Sequence, residues 1–359
     1  MSSGSHQPRR GVGVALAAAA LFGASTPIAK LLLESTSPQL LAGLLYLGSG
    51  TGLLLVWVYG RRSIKAVRET ALARRDISWL LGAISFGGVL APLMLMIGLT
   101  RTPASGASLL LNLEGVFTAL IAWFVFRENF DRRIALGMLA IIAGGIILSW
   151  EGRLSWGGLA GPLAVSGACL CWGIDNNLTQ KVSAGDPVQI AMLKGLAAGS
   201  LNTAIALFGG ADWPPVPDII GALSLGFLSY GVSLVLFVLA LRHLGTARTG
   251  AYFSTAPFVG AVLSLVAFHE RPTPLLLFAA ALMAIGVWLH LTERHEHEHR
   301  HKTMEHDHTH VHDEHHRHSH DPSDPPITDP IPHTHWHRHE PLVHAHAHYP
   351  DIHHRHDHD

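Results

Sequence analysis

Charged residues and cysteines are both scarce in this sequence. Only 14% of the 359 residues are Asp, Glu, Lys or Arg, against about 25% in an ordinary soluble domain. Together with a hydrophobic content of 48%, this shortage excludes a soluble globular enzyme. The two cysteines, Cys169 and Cys171, lie close together in an apolar run, which excludes a disulfide-stapled secreted domain. The sequence also lacks a Gly-rich loop ending in Gly-Lys-Ser/Thr, so we do not expect ATP-driven pumping by this chain alone.

The charges that are present divide the chain into two opposed parts. Residues 1–292 hold 19 Lys and Arg against 12 Asp and Glu, whereas residues 293–359 hold 6 against 14. The total of −1 therefore conceals a basic part and an acidic part. Of the 27 histidines, 23 follow Glu293. This division predicts a short N-terminus of residues 1–10, an apolar body, and a separate tail of residues 293–359.

The apolar body contains ten runs that approach the length of about 20 residues needed to cross the hydrocarbon core of a bilayer. The runs do not alternate between polar and apolar residues, so they predict helices and not a barrel. The fold class is thus predicted as an all-α integral membrane protein. Arg9 and Arg10 precede the first run as in a signal peptide, but no small-residue cleavage site closes it, and we expect an uncleaved span. The predicted spans are 11–33, 38–60, 77–99, 103–126, 133–150, 157–180, 187–208, 218–241, 247–268 and 273–292.

Lys and Arg residues are distributed unequally between the connections on the two sides. Fourteen fall on the side of the N-terminus and three on the other side. Because positive charge concentrates in cytoplasmic loops, the N-terminus is predicted in the cytoplasm of a cell that carries the chain in its inner or plasma membrane. With ten spans, the C-terminal tail returns to the cytoplasm.

Two segments of the body resemble each other. Val125-Phe126-Arg127-Glu128 is followed by a turn and a further span, and Ala267-Phe268-His269-Glu270 repeats this arrangement 142 positions later. The body therefore reads as two five-helix repeats, residues 11–150 and 157–292. An odd number of spans forces the second repeat to insert upside down, and such inverted repeats are typical of secondary carriers.

The two five-span repeats, with Phe126–Glu128 and its counterpart Phe268–Glu270, resemble the EamA repeats of the drug/metabolite transporter superfamily. The resemblance implies a ten-helix carrier of exporter type, driven by an ion gradient without ATP. It does not specify the cargo, since the superfamily carries amino acids, nucleotide sugars, drugs and other metabolites. One departure concerns a Glu-Pro pair that is common in the fourth span. Here the first repeat has Glu114-Gly115 and the second has Ala256-Pro257.

Ionisable residues within the spans are the candidate functional groups, because each costs at least about 2.5–3.5 kcal/mol to insert. Asp175 begins the polar run Asp175-Asn176-Asn177, and Cys171 lies one helical turn earlier. A carboxylate, two carboxamides and a thiol could bind a cation or carry a proton. The predicted transport path consists of Asp175, Asn176, Asn177, Glu114, Lys30, Lys194 and Cys171.

Structural roles are the alternatives for several of these residues. Lys30 and Lys194 could extend to an interface, and Lys30 could pair with Glu114. Asparagines in spans commonly make helix–helix hydrogen bonds, which applies to Asn112, Asn177 and Asn202. At the span ends, a capping or solvated role is expected for Glu128 and Glu270, and an interfacial position for His243 and His290.

The tail combines histidines with acids and prolines. With almost no aliphatic residues it cannot bury a core, so it is predicted to be disordered. Its fifteen His-x-His pairs could each chelate one ion through two imidazoles, which suits nickel, copper, zinc and cobalt. The match to His-Glu-x-x-His is nearly automatic in such a repeat and does not indicate a protease. The candidate metal ligands are His295, His297, His299, His301, His306, His308, His310, His312, His316, His318, His320, His333, His335, His337 and His339.

Three hypotheses follow for the function. The first is a secondary exporter of divalent transition metal, Ni²⁺ or Co²⁺ ahead of Zn²⁺, whose tail collects cytoplasmic ions and resembles the histidine-rich ends of nickel/cobalt-resistance exporters. The alternative is an exporter of a small organic metabolite or drug with a metal-buffering or sensing tail. The third is a membrane-anchored metal-binding protein without transport. The predicted partners are the lipid bilayer, the cargo and a proton or other ion gradient. A homodimer is left open, and neither a nucleic acid nor a required cofactor is expected.

Overall fold

The computed structural model describes residues 7–62, 76–126, 132–149, 156–182, 186–237, 239–240, 252–291, 296–300, 304–310, 333–339 and 343–347. Up to Leu291 these residues are almost entirely helical. The α-helices are α1 (Gln7–Gly23), α2 (Ser25–Leu32), α3 (Pro38–Arg62), α4 (Ile77–Ala83), α5 (Ala91–Arg101), α6 (Ala104–Leu110), α7 (Leu113–Phe126), α8 (Arg132–Ser149), α9 (Trp156–Val182), α10 (Pro187–Phe208), α11 (Val216–Gly226), α12 (Ala256–Ala267) and α13 (Pro274–Leu291). Two π-helices join them, π1 (Ile84–Leu90) and π2 (Phe227–Val232).

Eight helical segments of the described chain are long and apolar enough to cross a membrane, and two shorter apolar helices follow, Ala256–Ala267 and Pro274–Leu289. The predicted all-α membrane fold is therefore confirmed. The ninth predicted span begins among residues that the structure does not describe. The first predicted span is divided between α1 and α2 at Ala24. The eight long segments are Gly11–Leu32, Pro38–Tyr59, Ile77–Arg101, Ala104–Val125, Arg132–Ser149, Gly158–Thr179, Val188–Phe208 and Val216–Phe237.

Corresponding helices of the two halves pack against each other. In the fifth and last apolar helices, α8 and α13, the contacts are reciprocal. A Cβ added at Gly144 would lie 2.6 Å from Met283 Cγ and 3.2 Å from the Ala279 carbonyl oxygen. A Cβ added at Gly286, 142 positions later, would lie 2.6 Å from the Gly137 carbonyl oxygen. Small residues allow such close approach between helices in a membrane, and here they occur at corresponding positions.

Distortions of helix geometry also recur at matching positions. The π-helices π1 and π2 begin 143 residues apart. The turn at 111–112, which separates α6 from α7, has a counterpart at 254–255 before α12. π-Helices are rare and are frequently found at functional sites. Broken helices near the middle of a span are a common way for carriers to form a binding site.

The second and seventh apolar helices, α3 and α10, approach closely at glycines, and this contact yields a stability prediction. A Cβ added at Gly195 would lie 2.6 Å from the Gly50 backbone nitrogen and 3.0 Å from the Tyr46 carbonyl oxygen. Backbone atoms cannot give way as a side chain can, so Gly195→Ala is expected to destabilise the protein by about 1–3 kcal/mol. Thermal unfolding in detergent measures the effect. Gly13→Ala is the control, because nothing lies within 4 Å of a Cβ there. Equal melting temperatures for the two variants would contradict the prediction.

The tail is consistent with the predicted disorder, and the structure describes four short segments of it. The strands are β1 (Glu296–Arg300), β2 (Met304–His310), β3 (His333–His339) and β4 (Val343–Ala347), and antiparallel pairing joins β1 to β4 and β2 to β3. The prediction rested on the lack of apolar residues for a core. A repeat of period two nevertheless suits an extended strand, and paired strands need no buried core to satisfy their backbone groups.

Candidate functional site

A charged pair lies between α9 and α10, inside two of the membrane-spanning segments. Lys194 Nζ donates to both carboxylate oxygens of Asp175, at 2.6 Å and 2.8 Å. Thr179 completes the arrangement, since its hydroxyl donates to Asp175 Oδ1 at 2.8 Å and lies 3.1 Å from Lys194 Nζ. The side chains of Lys194 and Asp175 are only 15% and 8% exposed. Lys194 therefore does not extend to an interface; its charge is compensated inside the bundle.

The π-helix π1 lies against this pair. The Gly87 carbonyl accepts hydrogen bonds from the Tyr46 hydroxyl at 2.7 Å and from the Trp172 indole nitrogen at 3.1 Å. A Cβ at Gly87 would overlap the Asp175 carboxylate, so only glycine fits there. The altered backbone of a π-helix redirects carbonyl groups away from the helix ladder. Here it supplies a polar wall next to two aromatic side chains.

A second carboxylate lies across α9 from the charged pair. Glu114 is in the first turn of α7, directly after the turn that separates α6 from α7. Its Oε1 accepts a hydrogen bond of 2.8 Å from Asn176 Nδ2, which also lies 3.2 Å from the Thr118 hydroxyl. The start of a helix favours a negative charge. Glu114 is half-buried and Asn176 is exposed. Among the described residues, the Glu114 carboxylate is hydrogen bonded to a carboxamide and to no lysine.

An aromatic row runs from the charged pair toward the second half of the chain. Tyr46, which is bonded to Gly87, lies 5.6 Å from Tyr230 of π2 between ring centroids. Tyr230 lies 5.8 Å from Phe22, and Phe22 lies 5.5 Å from Phe253. The Tyr230 hydroxyl is hydrogen bonded to Ser25. Tyr46 is also within electrostatic reach of both Asp175 and Glu114. The row therefore connects the two carboxylates with residues of α1 and π2.

The structure brings together four of the seven predicted path residues, Asp175, Lys194, Glu114 and Asn176. Asn177 instead donates to the carbonyls of Thr118 and Gly173, which fits the helix–helix role considered for it. Asn202 likewise donates to the Gly88 carbonyl of π1. Asn112 donates to the Leu109 carbonyl three residues earlier, which is a local contact and not the helix–helix bond considered for it. Cys171 is buried. Among the described residues, no hydrogen bond joins its thiol to Asp175.

Lys30 lies away from these carboxylates. Its Nζ donates to the Thr102 carbonyl at 2.5 Å and lies 5.9 Å from the centroid of the Phe268 ring. The alternative that Lys30 pairs with Glu114 is therefore wrong. Glu270 accepts from the backbone nitrogens of Ala104 and Ser105, at 3.1 Å and 3.4 Å, and from the Ser105 hydroxyl. This contact caps the start of α6 and confirms the capping role expected for Glu270.

The structure describes only some of the remaining predicted residues. Glu128 and His243 lie outside the described residues, and the structure gives only the backbone for His290. Of the tail ligands, His295, His301, His312, His316, His318 and His320 lie outside the described residues, and the others are placed by their backbone in β1, β2 and β3. Among the described side chains, no group of three or more His, Cys, Asp or Glu could hold a metal ion.

Sequence reasoning missed the aromatic part of the site. Two of the five tyrosines, Tyr46 and Tyr230, lie well inside the long spans Pro38–Tyr59 and Val216–Phe237. A tyrosine hydroxyl in the middle of an apolar helix needs a hydrogen-bond partner there. This requirement is the feature of the sequence that could have identified the two tyrosines as part of the site. The contact between them could not be inferred, because it joins helices from opposite halves.

Comparison with known proteins gives consistent matches across the body. The EamA-like transporter family matches residues 9–150 and 159–292. An uncharacterized transporter of Methanothermobacter thermautotrophicus is 28% identical over 287 residues, covering 76% of this chain and 84% of that protein. A shorter match, 40% identical over 82 residues, covers 23% of this chain and 70% of a probable 4-amino-4-deoxy-L-arabinose-phosphoundecaprenol flippase subunit, ArnE, of Pseudomonas fluorescens.

A solved crystal structure with 16% identity shares the fold. Its TM-score is 0.57, and the match covers 77% of this chain and 95% of that one. The family match extends over both predicted repeats and leaves out the tail. The chain is a multi-pass membrane protein, and it belongs to the EamA-like transporter family.

Proposed function

We propose that this transporter is a secondary carrier that exchanges a small organic cation for protons at Glu114. The observation that carries the proposal is the unequal number of charges at the site. Among the described residues, two carboxylates, Asp175 and Glu114, lie within electrostatic reach of one ammonium group, that of Lys194. Lys194 donates to both oxygens of Asp175, which leaves Glu114 with the Asn176 carboxamide.

A carboxylate without a bonded cation can take one positive charge. A proton supplies that charge in one state of the carrier, and a protonated amine or quaternary ammonium group supplies it in the other. Because both ligands compete for the same oxygens, binding of one releases the other, and the two fluxes are coupled. Ionisable groups within membrane spans commonly mark such pathways.

The aromatic row supports an organic cargo. Tyr46, Tyr230 and Phe22 present ring faces and edges within one connected cluster, and aromatic rings attract organic cations. The relative from Pseudomonas fluorescens is named for a lipid-linked sugar that carries an amino group. That cargo belongs to the relative, but its amine is of the class that Glu114 would bind.

Export of a divalent transition metal is a second candidate, and the observation that favours it is the histidine content of the tail. The charged pair of Asp175 and Lys194 in the membrane argues against a metal ion as the cargo. A metal ion bound by Asp175 would have to displace Lys194 from both carboxylate oxygens, against the repulsion between the ion and the ammonium group. We infer from the distribution of Lys and Arg that both termini are cytoplasmic, which would place the tail on the side from which an exporter loads.

Reconstitution in liposomes with an internal pH dye tests the proposal. Choline and tetraethylammonium are suitable probes, because they are permanently charged and cannot carry a proton across the bilayer by themselves. With an acidic interior, addition of a transported probe outside is expected to raise the internal pH only in liposomes that contain the protein. A response to Ni²⁺ or Co²⁺ alone would support the second candidate. Transport of a neutral sugar or an organic anion without any response to cations would overturn both.

A further inference from the structure

The tail strands place histidines opposite one another in register. In the pair formed by β2 and β3, His306 is opposite His337, His308 is opposite His335, and His310 is opposite His333. Residues directly opposite in an antiparallel pair lie on the same face, as do alternate residues along one strand. His339, opposite Met304, belongs to the same face, so one face of this two-stranded sheet has seven histidine positions.

The second strand pair repeats the arrangement on a smaller scale. His297 of β1 is opposite His346 of β4, and His299 is opposite His344. The strands are nested, since β2 and β3 lie between β1 and β4 in the sequence. Residues far apart in the tail, such as His297 and His346, are thus brought together by backbone pairing. In a chain without this pairing, only neighbours at i and i+2 would be close.

We propose that the histidine face of β2 and β3 is a binding site for divalent transition-metal ions, and that metal binding holds the two strands together. Imidazoles suit Ni²⁺, Cu²⁺, Zn²⁺ and Co²⁺, and tetrahedral sites use up to four protein ligands. One His-x-His pair supplies two imidazoles, whereas two opposed pairs supply four. An isolated two-stranded sheet is marginally stable in water, so ligands on both strands couple ion binding to strand pairing. The proposal does not depend on which cargo crosses the membrane.

Metal titration of the full-length protein in detergent, against a chromophoric chelator, tests the site with Ni²⁺ as the probe. The first variant changes His306, His308 and His310 to Asn, the second changes His333, His335 and His337, and the third combines both. The control changes His316, His318 and His320, which have the same spacing but lie outside the described strands. Either strand variant is expected to lose the tightest class of sites, the combined variant to lose no more of that class, and the control to retain it.

Disulfide trapping tests the pairing independently. Thr309 is opposite Thr334 in the register, so Thr309→Cys with Thr334→Cys is expected to cross-link faster when Ni²⁺ is present. The control pairs Thr309→Cys with Thr328→Cys, which closes a shorter loop and would react at least as fast in an unpaired chain. Equal loss of tight sites in all three single-segment variants, with cross-linking no faster for the opposed pair, would overturn the proposal.

Discussion

Replacing Asp175 with Asn is expected to abolish transport and to lower the thermal stability of the protein. The substituted carboxamide is neutral, so the Lys194 ammonium group would lose its counter-charge in a site where its side chain is only 15% exposed. Removing one partner of a buried ion pair costs about 3–5 kcal/mol, because the other charge stays uncompensated. Transport in liposomes and thermal unfolding in detergent measure the two effects.

The double variant Asp175→Asn with Lys194→Gln separates stability from transport. It removes both charges, so we expect most of the lost thermal stability to return. Transport is expected to stay lost, because the anion beside Gly87 and Thr179 is then missing. If the double variant transported at the rate of the unmodified protein, the pair would be structural only, and its assignment to the transport path would be wrong.

Glu114→Gln is expected to eliminate proton-coupled transport with little loss of stability. The amide keeps an oxygen that can accept from Asn176, which now donates to Glu114 Oε1 at 2.8 Å. The amide can neither take up a proton nor compensate the charge of an organic cation. Neither ligand of the exchange can therefore bind at this position. Internal pH in the liposome assay is expected to stay constant when choline or tetraethylammonium is added. Glu114→Asp, which keeps the charge on a shorter side chain, is expected to retain part of the activity.

Asp218→Asn provides the matched control for this variant. Asp218 is a carboxylate in the first turn of α11 whose Oδ2 accepts a hydrogen bond of 2.6 Å from the exposed Ser35. The chemical change is the same, but the residue lies outside the site. We expect transport by Asp218→Asn to match that of the unmodified protein. Transport retained by Glu114→Gln at the same level would contradict the role proposed for Glu114.

The pair of Asp175 and Lys194 was within reach of sequence reasoning. The two residues are 19 positions apart and lie on either side of the connection between α9 and α10. Consecutive helices joined by a short connection are antiparallel neighbours, so residues equally far from the turn come to the same depth. Both were singled out as charged residues within spans. The antiparallel relation of α9 and α10 is sufficient to predict that the two side chains lie at the same depth and can pair.

The contact between Glu114 and Asn176 depends on information that the sequence does not contain. The two residues are on helices separated by a complete span and are 62 positions apart. Their approach depends on the packing of α7 along α9, where a Cβ at Gly173 would lie 2.9 Å from Phe117 Cβ. The π-helices were unpredictable for a similar reason. In π1, the Gly87 and Gly88 carbonyls accept hydrogen bonds from the tertiary partners Tyr46, Trp172 and Asn202.

Proton release on binding of an organic cation is the most direct test of the central claim, that Glu114 holds either a proton or the cargo. Tetraethylammonium is added to the detergent-purified protein in weak buffer, and the pH change is followed with an indicator dye. The account predicts release of up to about one proton per chain, since the two ligands compete for one carboxylate, and no release from Glu114→Gln. Binding of the cation without proton release, or equal release from Glu114→Gln, would contradict it.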